Sequence, residues 1–149
     1  AAHVEAQRAK FRREIEKCEH YREVLRLVQQ YINARWEHWT DIVKGDTKGL
    51  LVEVCDVFTI SEKVLGDLID RKQAQVDHAA KEEKDCMDKF HRKWEQLDPN
   101  ADQEKARAHE AQAVKETAHR ETERLTKLRR GMRDVLQKCR PCVAHFGIS

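Results

Sequence analysis

W-E-H-W-T-D-I-V-K-G-D-T-K-G-L-L-V-E-V-C-D-V-F-T-I, residues 36 to 60, gathers the heaviest apolar mass in the chain. Trp36, Trp39, Ile42 and Val43 precede the segment K-G-D-T-K-G, and Leu50, Leu51, Val54, Phe58 and Ile60 follow it. Gly45 suits the left-handed conformation that ends a helix, and Asp46 or Thr47 suits the cap of the next one. The β-branched run from Leu50 to Ile60 would also suit a strand, taken alone. Its neighbours decide the matter. Apolar steps of three and four run on through Leu51, Val54, Phe58, Leu65, Leu68, Val76, Ala79, Cys86, Phe90, Trp94 and Leu97. That spacing lines one face of a helix. The stretch therefore reads as the tip of a long helical hairpin.

Upstream, the same rhythm links Phe11, Ile15, Cys18, Tyr21, Leu25, Val28, Ile32, Trp36, Trp39 and Ile42, with no Pro or Gly between them. It predicts one unbroken helix over about residues 4–44, roughly 60 Å long at ~1.5 Å per residue. Downstream, the second helix spans about 50–97 and stops at L-D-P-N-A-D-Q. There Asp98 before Pro99 suits an N-cap, and Asn100 with Gln103 suits a capping box. A third helix follows over about 100–139, with its apolar face on Ala111, Val114, Ala118, Leu125, Leu128, Met132, Val135 and Cys139. Pro141 is expected to end it, and Gly131 inside it to mark a kink or a close approach. The fold class predicted is all-α: a single domain, 1–149, built as an antiparallel three-helix bundle of long coiled-coil-like helices. Residues 140–149 form a tail packed at the hairpin tip.

Composition agrees. The chain is 38% charged, with 5 Gly, 2 Pro and serine only at 61 and 149, which is too few turn residues for a sheet protein and too few polar ones for a flexible linker. No apolar run approaches the ~18 residues a membrane span needs. Neither an initiator Met nor a signal peptide opens the chain, so it reads as a fragment of a longer protein. Five cysteines, an odd number, with no N-x-[ST] sequon point to a reducing, cytoplasmic setting. In a three-rod bundle, residues 36–60 share a height with residues 132–146. The chain start, Val76–Leu97 and the alanine-rich 101–118 gather at the other, thinner end.

The most specific chemical signal is C-R-P-C-V-A-H, which supplies Cys139, Cys142 and His145. The bundle register brings Cys55 and His38 to that height. Cys139, Cys142, His145 and Cys55 (or His38) match the ligand types that tetrahedral zinc accepts. The plainer reading is that reduced cysteines pack as small apolar residues. Glu116-x-x-His119 has the spacing of di-iron bundles, but such sites need two such pairs and two further glutamates. Asp88-x-x-His91 is an imperfect second, so solvent-facing residues are expected. Glycine-rich phosphate loops, H-E-x-x-H and G-x-S-x-G are missing, so no catalytic residues are assigned.

Net charge is +2, which commits the chain to no nucleic acid. Residues 120–142 carry eight Lys or Arg against three carboxylates, and residues 75–104 carry nine carboxylates against five bases. Arg129, Arg130, Arg133, Lys138 and Arg140 form the strongest basic cluster. They suit phosphates of an anionic membrane surface, or simply complement the end of a helix dipole. Without interleaved aromatics the cluster has no base-stacking platform.

Three functional readings follow. The first is a non-enzymatic helical scaffold that binds a protein partner or itself, with Tyr21, Tyr31 or Trp94 as contact points. The second is a homodimer that binds membranes through the basic cluster, similar in architecture alone to BAR-type modules. The third is a small zinc-stabilised helical module.

Overall fold

The computed structural model describes the backbone of residues 2–42 and 47–145, and the side chains of residues 5–36, 49 and 51–141. The expected turn at Lys44–Asp46 and the side chains of His38, Trp39, Cys142 and His145 lie outside the described residues. The fold is all-helical, with no strand among the described residues. The helices number four rather than three: α1 (Ala2–Glu16), α2 (Tyr21–Ile42), α3 (Thr47–Glu95) and α4 (Ala101–His145). Leu50–Ile60 is helical, as the three-four rhythm requires. The chain divides into two compact units. Unit 1 holds residues 1–68 and 125–149, and unit 2 holds residues 69–124.

The unbroken first rod is overturned. Lys17–His20 interrupts it without Gly or Pro. The Lys17 and Cys18 amides bond back only three residues, to Glu14 and Ile15, and the Cys18 thiol donates to the Glu14 carbonyl. The His20 carbonyl then accepts from Glu23 and Val24, opening α2, while the Glu23 carboxylate accepts from the Glu19 amide at 3.2 Å. A carboxylate that reaches back over the first turn satisfies an amide the helix leaves unbonded. Beyond this turn α1 folds back antiparallel on α2. The Phe11 and Tyr31 ring centroids lie 5.1 Å apart, and Gln7 Oε1 accepts from Arg35 Nη1 at 3.1 Å. The chain start therefore belongs to unit 1, not with Val76–Leu97. Arg8 meets Asp56 of α3 at 3.0 Å.

Burial along α3 and α4 shows why both are so long. On α4 the positions Ala101, Glu104, Ala108, Ala111, Lys115, Ala118, Thr122, Leu125, Arg129, Met132, Leu136 and Cys139 alternate steps of three and four. Every one of them is buried or half-buried. On α3 the same holds for Cys55, Phe58, Glu62, Leu65, Ile69, Lys72, Val76, Ala79, Glu83, Cys86, Phe90 and Lys93. This is the heptad pattern of a coiled-coil seam. In unit 1, Glu62 pairs with Arg129 and Arg133. In unit 2, Glu83 pairs with Lys115 at 2.7 Å and Lys93 with Glu104 at 3.0 Å. In unit 2 the numbers rise along α3 as they fall along α4.

Charged residues at seam positions specify register, because a shifted pairing would strand them. Alanine and cysteine fill most of the rest of unit 2, whereas unit 1 buries larger groups: Ile15, Val24, Val57, Leu65, Leu68, Leu125 and Leu136. Ser61, fully buried on α3, donates to the Val57 carbonyl and leaves no hydroxyl unsatisfied.

Two helix-end expectations are corrected. α4 continues past Cys139 to His145 with Pro141 inside it. Pro141 stands in the last turns, where its missing amide removes one backbone bond near an end that loses bonds anyway. Gly131 is no close-approach site, since nothing lies within 4 Å of where its Cβ would be. Gly131→Ala is therefore expected to stabilise the protein by ~1 kcal/mol, through helix propensity alone. An unchanged urea midpoint would show that Gly131 has a role the fold does not reveal.

The turn between α3 and α4 is a Schellman motif. The Asp98 amide bonds to the Lys93 carbonyl at 2.8 Å and the Leu97 amide to the Trp94 carbonyl at 3.1 Å. Its left-handed position, usually glycine, is Leu97, with φ 55°. Asp98 then accepts from the Asn100 amide through its own carboxylate at 2.8 Å, and the Asn100 carbonyl receives Gln103. Asp98 and Asn100 thus share the capping of α4 that the sequence assigns to this spot.

Candidate functional site

Where the sequence promises its thickest apolar packing, unit 1 buries an ion pair. Arg35 of α2 and Glu53 of α3 are only 4% and 6% exposed. Arg35 Nε and Nη2 donate to the two Glu53 oxygens, each at 2.8 Å, a bidentate fork. Gln7 of α1 accepts a third bond from the same guanidinium. The Glu53 hydrogen bond holds the Arg35 pKa up against the opposing effect of burial. Beside the fork lie the Tyr31 hydroxyl and Arg8 Nε, both buried without a well-formed hydrogen bond. Burial, then the Glu53 charge, raises the Tyr31 phenol. Trp36, next to Arg35, is 54% exposed rather than packed. The α2 face that turns inward carries Val24, Val28 and Arg35, so the Leu25–Ile32–Trp36 line sits to one side of it. All three charged members of this polar knot have partners. Its chemistry is that of a structural clamp joining α1, α2 and α3.

The basic cluster is partly committed as well. Arg129 Nε and Arg133 Nε both donate to Glu62 Oε1, at 2.8 and 2.7 Å. Gly66 lies beneath this guanidinium: a Cβ there would come within 2.7 Å of Arg129 Nη2, so a side chain at position 66 would push the guanidinium aside. Lys138 is engaged by a neighbour too. Arg130 and Arg140 are exposed. Two of the five bases are therefore spent on holding α3 to α4.

Burial alone would raise the Glu62 carboxyl, but the Arg133 and Arg129 hydrogen bonds outweigh it and hold its pKa below the ordinary value. Lys93 does the same for Glu104. A carboxylate whose folded pKa is depressed adds stability above its unfolded pKa and loses it as pH falls through the folded one. Stability is therefore expected to be flat near neutrality and to fall below about pH 4, the ordinary carboxylate range. Urea unfolding at both ends of that window should show a smaller acid loss in Glu62→Gln. An equal loss in the variant would remove Glu62 from the explanation.

Of the four zinc-ligand candidates, two are described and they meet. Cys55 of α3 and Cys139 of α4 both hold half-buried seam positions, and the Cys139 side chain acts on the Cys55 thiol. Burial, then Cys139, raises the Cys55 pKa. Both are free thiols, half-exposed. Cys142, His145 and His38 contribute no described side chain. Among the described residues no group of three or more His, Cys, Asp or Glu is placed to hold a metal ion. Glu116 is exposed, and His119 pairs with Glu123 at 3.2 Å on the same surface, while Asp88 and His91 are exposed. Those motifs face solvent. Cys18 and Cys86 are each buried and free.

Unit 2 carries the most exposed apolar group among the described residues. Met87, Phe90, Trp94 and Leu97 follow steps of three and four along the end of α3, with Trp94 64% and Leu97 90% exposed. The Phe90 ring lies 6.0 Å from that of Trp94, and Lys105 Nζ sits 5.6 Å from its centroid. Tyr31 is half-buried against Phe11 instead, and Tyr21 is half-buried beside Arg22.

No family model, curated protein or solved structure matches the chain. No helix among the described residues is long and apolar enough to cross a membrane.

Proposed function

We propose that the chain is a non-enzymatic helical interaction module whose α3–α4 turn inserts into an apolar groove of a protein partner. In this reading α2, the first part of α3 and the last part of α4 are the antiparallel, coiled-coil-like scaffold of unit 1, with α1 strapped over it. The module works in the cytoplasm.

One observation carries the proposal. Leu97 breaks two folding preferences at once: it is 90% exposed, and it holds the left-handed conformation at φ 55°. For a side chain with a Cβ that conformation costs roughly 1–2 kcal/mol, and glycine would remove the cost. Strain and exposed apolar surface at one position are what a recognition residue looks like. Trp94 and Leu97, spaced i and i+3, have the form of anchors for a groove that receives a helix end. Trp is also the residue type most enriched at interface hot spots.

Leu97→Gly is expected to raise stability by ~1 kcal/mol and to weaken partner binding in the same molecule. Proteins captured by the wild-type chain from cell extract should be compared with those captured by Trp94→Ala/Leu97→Gly. The purified partner should then be titrated against both. Loss of binding in a variant that folds at least as well supports the proposal. If the partner is a second copy, light scattering should show a dimer that the double variant dissociates. Equal binding by both proteins would end this reading.

The membrane-binding reading rests on a cluster that has given Arg129 and Arg133 to Glu62, and it is the weaker of the two.

A further inference from the structure

We infer that Cys55 and Cys139 form a reversible disulfide that ties α3 to α4 in unit 1 when a low-molecular-weight disulfide such as oxidised glutathione is present. Two independent observations place the pair. The Cys139 side chain acts on the Cys55 thiol through its charge and a hydrogen bond. Separately, Glu62 meets Arg133 while Gly66 lies against the Arg129 guanidinium, so α4 numbers fall as α3 numbers rise and position 55 comes opposite the turn that holds position 139. Both cysteines hold seam positions in their heptads, where side chains of the two helices point toward one another. Both are half-exposed, so a small reagent reaches them, whereas Cys18 and Cys86 are buried. A disulfide needs its two Cα atoms within about 7 Å and its Cβ vectors converging. Facing seam positions of a tightly packed helix pair meet that demand, and cysteines on an outer face do not.

The chemistry closes without any further reactant. The thiolate of one cysteine attacks the glutathione disulfide, forms a mixed disulfide and releases one glutathione thiolate. The thiolate of the other cysteine attacks the mixed disulfide at the protein sulfur. The Sγ–Sγ bond forms and the second glutathione leaves. Two electrons pass from the cysteines to glutathione, and the two cysteine protons end on the two glutathione thiols. The product closes a loop of more than eighty residues, from 55 to 139, which restricts the unfolded chain strongly. Oxidation should therefore stabilise unit 1, while reduction returns the half-exposed thiols. Asp56 and Arg140 are the charged neighbours that act on the Cys55 thiol.

The test uses the full chain, reduced and then equilibrated with oxidised glutathione without air. It is then acid-quenched, alkylated and mapped by mass spectrometry. The expected result is a peptide pair linked through Cys55 and Cys139, with Cys18 and Cys86 alkylated as free thiols. The oxidised protein should show a higher Tm that dithiothreitol reverses. In Cys55→Ser the link and the Tm rise should vanish and a glutathione adduct should remain on Cys139. In Cys142→Ser the link should be unchanged. A link between Cys139 and Cys142 in place of Cys55, or mixed disulfides that persist on Cys55 and Cys139 at equilibrium, would overturn the inference. So would stoichiometric zinc that travels with the purified protein and shields both thiols from glutathione.

Discussion

Arg35→Ala is expected to destabilise the protein by about 3–5 kcal/mol, the largest single-residue effect anticipated in this molecule. The size follows from what is left behind. Glu53 is 6% exposed, and each of its two oxygens receives a 2.8 Å hydrogen bond from Arg35. Removing the guanidinium takes both of these bonds from a buried carboxylate and strips Gln7 of its donor. The loss is not a measure of what the pair itself contributes, because burying two charges costs about as much as their attraction returns. Arg35→Met combined with Glu53→Leu should therefore recover most of the stability, and replacements of this type often end neutral or more stable by about 1–4 kcal/mol. Urea unfolding of the two single variants and the double variant forms a complete cycle. A loss under ~1 kcal/mol in Arg35→Ala, the size seen for exposed pairs, would mean that the fork is solvated and that α2 does not pack on α3 as described.

The second large effect concerns α1. Ile15→Ala should cost about 2–5 kcal/mol, because Ile15 is fully buried where α1 turns back on α2. Arg12→Ala, on the exposed side of the same helix, should change stability by no more than ~0.5 kcal/mol. Were residues 4–44 one continuous rod, Ile15 would lie on a stripe leading away from the α2 contacts, and its truncation would cost far less. Similar small losses in Ile15→Ala and Arg12→Ala would contradict the fold-back of α1.

The helices of the seam are legible in the sequence because their rhythm is local. Leu65, Ala79, Cys86, Ala111, Ala118, Leu125 and Met132 read as inward residues and all are buried, whereas Val114, placed on the same face of α4, is 56% exposed. The adjacency of Cys55 and Cys139 also follows from antiparallel helices and short turns. The break at Lys17–His20 was hidden for a definite reason. Ile15, Cys18 and Tyr21 keep the three-residue spacing through a turn that no glycine or proline announces, and the cap that creates it is the side chain of Glu23.

Long-range charge was the other blind spot. Arg35 and Glu53 look like surface residues until two helices meet, and Glu62 answers Arg129 from 67 positions away. So an apolar-rich stretch turned out to hold a buried ion pair, and a basic patch turned out to be half spent inside the fold. At Trp94 and Leu97 the error runs the other way. Their rhythm continues past the last residue that has anything to pack against, which is why they read as core and stand exposed.

The seam assignments depend on the register of α3 against α4, and within unit 2 zero-length crosslinking reads it directly. A carbodiimide joins a lysine to a carboxylate only where the two already touch, as Lys115 touches Glu83 at 2.7 Å and Lys93 touches Glu104 at 3.0 Å. Mass spectrometry of the monomeric product should recover both amide links, with Lys115→Arg removing the first and sparing the second. Links from Lys115 to carboxylates a heptad or more away from Glu83, recovered in place of these two, would contradict the register.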